Sequence, residues 1–138
     1  MLKTVLVPVD DDPCSEHCVQ YAFDLARLLG SQVVILHVAT CADGLDRGKT
    51  ILERLGHGGR FPARMLLIQH PSVPEAVLKV IEKHKADLLL LGRCAGDAFT
   101  VREGIREKLL EQSPIPVQVV PIQMKTRPSY LDRFQTGV

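Results

Sequence analysis

Apolar residues come in two rhythms along this chain. Val5-Leu6-Val7 and Leu88-Leu89-Leu90-Leu91 are unbroken runs that stop at acidic or glycine loop residues, Asp10-Asp11-Asp12 in the first case and Gly92 in the second. Unbroken runs of strand length suit a parallel sheet covered on both faces. Strands are expected over 4–9, 33–38, 64–68, 87–91 and 117–121. Between the first two, Cys18, Ala22, Leu25, Ala26 and Leu29 recur at helical spacing; Asp12 can cap, Pro13 suits the first turn and Gly30 the stop. Ser72 to Glu75 has capping-box spacing ahead of the stripe Ala76, Val77, Val80 and Ile81, and the pattern returns at Thr100 to Glu103 ahead of Ile105, Leu109 and Leu110. Ser113-Pro114 ends that last helix. Strand and helix alternate, which predicts an α/β fold: a five-stranded parallel sheet, doubly wound, with right-handed crossovers.

Two stretches depart from the alternation. Residues 40 to 62 hold Gly44, Gly48, Gly56, Gly58 and Gly59, which leave room for a short helix near 49–55 in an otherwise loose segment. Beyond Pro121 a polar tail, 122–138, with Pro128, Tyr130, Leu131 and Phe134, is too short for a core of its own and is expected to be a loose or dimer-packing arm. The domain is therefore placed at 1–121. Gln118 interrupts Val117, Val119 and Val120, so the last strand is expected at a sheet edge, where Val117 and Val119 offer a face for a two-fold partner. A homodimer is predicted.

Composition narrows the function classes. With 138 residues, 46% hydrophobic and 24% charged, and 17 Lys plus Arg against 16 Asp plus Glu, the chain suits one globular, nearly neutral domain. It lacks the basic footprint of a nucleic-acid binder. No secretory signal or membrane-spanning run is read, so Cys14, Cys18, Cys41 and Cys94 are expected to be reduced thiols in a cytoplasmic protein. Ligands of such sheets lie beyond the carboxyl ends of the strands, which directs attention to the loops after Val9 and after Leu91.

Val7-Pro8-Val9-Asp10, Leu36-His37-Val38, Ala86-Asp87-Leu88-Leu89-Leu90-Leu91-Gly92 and Pro114-Ile115-Pro116-Val117 occur in unbroken order over about residues 2 to 121. In that ordered set the chain resembles the universal stress protein family. The resemblance implies a five-stranded, adenine-nucleotide alpha-hydrolase-like α/β sandwich, usually dimeric through the fifth strand, of which many members bind ATP or AMP and others bind no nucleotide. It places Asp10 on the adenine side and a glycine loop after the fourth strand around ribose and phosphates. Carried onto this sequence, the candidate cofactor contacts are Asp10, Val38, Gly92, Arg93, Gly96 and Gly104.

The loop departs from the family's spacing of glycine, two residues, glycine, nine residues, glycine and a hydroxyl residue. Gly92 is present, but Ala95 stands where the second glycine belongs, with Gly96 one step late. Counting back from Pro114, Glu103 replaces the closing glycine and Gly104 the hydroxyl residue. A phosphate cradle works by offering free N–H groups and a helix dipole to an anion. Glu103 opposes both, and two unit charges about 4 Å apart repel by roughly 4 kcal/mol near a surface. Arg93, Arg102 and Arg106 could chelate a phosphate and offset that charge. The plainer reading, preferred here, leaves them solvated or paired with Glu103 and Glu107.

Other constellations have plain readings beside their chemical ones. Asp10-Asp11-Asp12 could hold Mg²⁺, yet Asp12 as cap and Asp11 as solvated surface account for the run. The four cysteines with His17 and His37 could bind a soft metal or sense redox state, but no metal-type CxxC pair occurs and small apolar cysteines explain them; no metal site is assigned. His37 and His70 end strands without a sequence-evident nucleophile and orienting partner, so no catalytic residue is assigned. The expectation is a non-enzymatic stress-response module with a reduced nucleotide pocket, acting through its dimer or a protein partner, and taking AMP more readily than ATP if a nucleotide binds. The alternative is an ATP or AMP binder with a shortened phosphate loop.

Overall fold

A strand with Val and Leu on both faces needs cover on both, and the computed structural model shows how this chain supplies it. It describes residues 2–56, 63–93 and 101–121, with 101–103 as backbone alone. The elements run β1 (Thr4–Pro8), α1 (Pro13–Leu29), β2 (Gln32–Ala39), a single 3₁₀ turn (Ala42–Gly44), α2 (Leu45–Gly56), β3 (Ala63–Gln69), α3 (Val73–His84), β4 (Leu88–Arg93), α4 (Val101–Gln112) and β5 (Val117–Pro121). The five strands are parallel in the order β3-β2-β1-β4-β5. β5 stands at an edge, as Gln118 suggested.

The two faces hold separate cores. On one, Val5, Val7, Val33, Ile35 and Leu90 meet Cys18, Ala22 and Phe23 of α1 and Ile51, Leu52 and Leu55 of α2. On the other, Leu6, Leu36 and Leu89 meet Val77, Val80 and Ile81 of α3 and Leu109 of α4. Alternate residues of one strand thus enter opposite cores, the arrangement that a two-sided apolar run requires.

Local signals set the helix ends. Asp12 caps α1 by accepting the Ser15 N–H at 2.7 Å, Pro13 takes the first turn, and Gly30 closes the helix in the left-handed region at φ 68°. Ser72 caps α3 by accepting the Glu75 N–H at 3.4 Å. The reciprocal half of that box is absent: the Ser72 N–H goes to His70 Nδ1 at 2.9 Å, and the Glu75 carboxylate lies 4.0 Å from His70 Nε2. The box expected at Thr100 to Glu103 lies outside the residues whose side chains are described, as does the expected arm 122–138.

The segment after β2 corrects the sequence reading. A 3₁₀ turn leads into twelve residues of α2 instead of a short helix in a loose stretch. Gly48 explains the difference. A Cβ built there would lie 2.6 Å from His37 Cδ2 and 2.7 Å from Leu67 Cδ1, so its missing side chain is what lets α2 settle on β2 and β3. Gly56 repeats the device against the Met65 sulfur at 2.6 Å.

Candidate ligand-binding site

The chain reverses its direction of growth across the sheet between β1 and β4, and a crevice opens beyond the carboxyl ends of strands at such a switch point. There the structure has a cavity of about 510 Å³, within the range of small-molecule sites. Its apolar wall comes from Leu36, Ile51, Val73, Leu91, Ile105 and Leu109.

Local hydrogen bonds fix the polar rim. Past Pro8 the Val9 N–H still donates to the Leu36 carbonyl at 2.8 Å, which keeps the chain beside β2 for one more residue. Asp10 then turns into the start of α1: its N–H donates to Ser15 Oγ at 2.7 Å, and its carboxylate accepts the Asp11 N–H at 2.8 Å. Asp11 reaches across to α2, 3.1 Å from Arg47 and 3.2 Å from Arg54. The Arg47 hydrogen bond, reinforced by Arg54, holds the Asp11 carboxyl below its ordinary value against a smaller opposing effect of desolvation. His37 Nδ1 donates to the Val9 carbonyl at 2.9 Å, which ties the buried end of β2 to that of β1.

β4 closes the site on its other side. Gly92 lies so close to the start of α1 that a Cβ would stand 3.1 Å from both the Cβ and the carbonyl oxygen of Cys14. From α4, Arg106 Nη1 donates to the Gly92 carbonyl at 3.3 Å. Thus Asp10, Val38 and Gly92 of the sequence-derived set line one cavity. Arg93, exposed at the end of β4, and Gly104, exposed on α4 with open space around it, do not line it, and Gly96 is outside the described residues. Arg47 and Arg106 join the lining instead. Arg47 lies in the segment that the sequence reads as loose; Arg106, which the sequence leaves solvated or paired with a glutamate, donates to a carbonyl.

The cysteines divide. Cys18 and Cys41 are free thiols, and burial, with a smaller contribution from Asp12, pushes the Cys18 thiol up to about 12, so it is no thiolate at neutral pH. Cys14 is disulfide-bonded, which corrects the reading of four reduced thiols. Disulfides are rare in a reducing compartment, and this bond runs against that reading of the cysteine content. Cys94 lies outside the described residues. Among the described residues no three His, Cys, Asp or Glu side chains are grouped to hold a metal ion. No described helix is long and apolar enough to cross a membrane.

Comparison with known proteins agrees with the resemblance seen in the sequence. The sequence model of the Universal stress protein family matches residues 1–55. A universal stress protein of Synechocystis, Sll1654, is 26% identical over 137 residues, covering 88% of this chain and 87% of the relative. Among solved structures, a universal stress protein in complex with cAMP is similar with a TM-score of 0.72 at 20% identity, covering 87% of this chain and 97% of that one. The universal stress protein of Archaeoglobus fulgidus in complex with dAMP gives 0.70 at 16% identity, covering 86% and 98%. The fold is the one these proteins share.

Proposed function

We propose that this chain is a universal stress protein-like, non-enzymatic stress-response module. It takes an adenine nucleoside monophosphate in the cavity beside Asp10 and acts through a homodimer or a protein partner. The observation that carries this reading is the open cavity of about 510 Å³ at the β1/β4 switch point, with Asp10 and Val38 at one end and Gly92 at the other. The cAMP and dAMP complexes of the two structural relatives support the ligand class. The sequence favours one phosphate over three, because Glu103 and the displaced Gly96 spoil the longer cradle.

Binding to the native state alone raises stability by about 2.7 kcal/mol at a hundredfold excess over Kd. Millimolar AMP is therefore expected to raise the melting temperature of the purified chain by several degrees, and ATP with Mg²⁺ by less. Asp10→Ala removes the AMP shift. Absence of a shift with AMP, cAMP and ATP would sink the proposal, while an ATP shift equal to that of AMP would favour the shortened-loop ATP binder.

The dimer in this reading forms through β5, where Val117 and Val119 are half-buried at the sheet edge. Sedimentation at micromolar concentration is expected to show a dimer that Val119→Glu converts to monomer. A wild-type monomer across that range contradicts the assignment.

A further inference from the structure

Three carboxylates and two guanidiniums line the described cavity, which leaves it one negative charge. The carboxylates have internal duties. Asp10 accepts the Asp11 N–H, Asp11 is held by Arg47 and Arg54, and Asp12 caps α1. Arg47 is thereby neutralised in place. Arg106 is in a different position: it is half-buried, lines the cavity, and among the described residues its partner is the Gly92 carbonyl at 3.3 Å.

A neutral carbonyl at the long end of the hydrogen-bond range does little for a half-buried guanidinium. The group carries five N–H donors in a planar fork, and the natural complement of that fork is the paired oxygens of a carboxylate or phosphate. Among the described residues no carboxylate is ion-paired with Arg106. The cavity therefore has charge polarity along its length: Asp10 repels an anion at the β1 end, and Arg106 attracts one at the β4 end.

We propose that Arg106 is the specificity-determining residue of this site: it pairs with the phosphate of a nucleoside monophosphate beside Gly92 and sets the ligand's orientation. The proposal rests on the nucleotide reading above and deepens it. One guanidinium fork matches one phosphate group, so the chain selects a monophosphate over the parent nucleoside.

Calorimetric titration of the full chain with adenosine and with AMP tests this. Wild type is expected to bind AMP about ten- to a hundredfold tighter than adenosine, the range that a charge-assisted pair supplies. Arg106→Gln brings AMP to within about threefold of adenosine and leaves adenosine affinity unchanged within about twofold, while Arg106→Lys, which keeps the charge and loses the fork, retains part of the preference. An AMP preference that survives Arg106→Gln overturns the assignment and leaves the nucleotide reading intact. So does an equal loss of both ligands in the Gln and Lys variants, which would make Arg106 a structural residue. Failure of wild type to bind either ligand defeats the nucleotide reading itself and this inference with it.

Discussion

Leu89→Ala is expected to lower folding stability by about 2–5 kcal/mol, the range for truncating a fully enclosed leucine. Leu89 is fully buried in β4, in register with Leu6 of β1 and Val117 of β5. It belongs to the core that α3 and α4 cover, so the void would open where two helices and three strands meet. Domains of this size hold about 5–15 kcal/mol in total, and the loss is a large share of it. Urea denaturation reads it as a lower midpoint with an unchanged slope. Leu110, its near neighbour in sequence to Leu109 but 47% exposed on α4, is the control: Leu110→Ala is expected to stay within about 0.5 kcal/mol. Equal effects at the two positions would show that the second core is not where the structure puts it.

That contrast also marks what the sequence made legible. Val5, Leu6 and Val7 announced a strand buried on both faces because no polar residue breaks the run, and the two cores take them alternately. Asp12, Pro13 and Gly30 announced the limits of α1 because capping is chemistry between residues a few positions apart. The site was legible to the extent that it follows from topology: once β1 and β4 are neighbours, Asp10 and Gly92 must flank the switch point.

What stayed hidden depends on contacts between distant parts of the chain. Helical spacing pairs Arg106 with Glu103 on paper, but the carbonyl it meets belongs to Gly92, 14 residues away on a different element. Arg47 and Arg54 meet Asp11 only because α2 lies over the carboxyl end of β1. A glycine is harder still to read. Gly44, Gly48 and Gly56 look alike as helix breakers, and only the surface facing each one separates a flexible position from a close approach.

Gly48→Val tests that distinction and is expected to destabilise the fold by about 1–3 kcal/mol through overpacking. Two effects oppose each other at this position. Replacing a helical glycine returns up to about 1 kcal/mol of backbone propensity, less for a β-branched residue than for Ala. Against that, the first added carbon alone would sit 2.6 Å from His37 Cδ2 and 2.7 Å from Leu67 Cδ1. Leu67 can turn its methyl group aside, but the His37 ring is held by its bond to the Val9 carbonyl, so the clash wins. Either α2 lifts from the sheet or His37 is driven into the cavity, and in both cases the proposed nucleotide site predicts that AMP protects the variant less than wild type in a melting experiment. Gly104→Ala is the counterpart: it is exposed within α4 with nothing near its missing Cβ, and should gain about 0.5–1 kcal/mol. If Gly48→Val were as stable as wild type and bound AMP as well, α2 could not be seated on β2 as tightly as the structure shows, and the wall that Arg47 and His37 form would have to be redrawn.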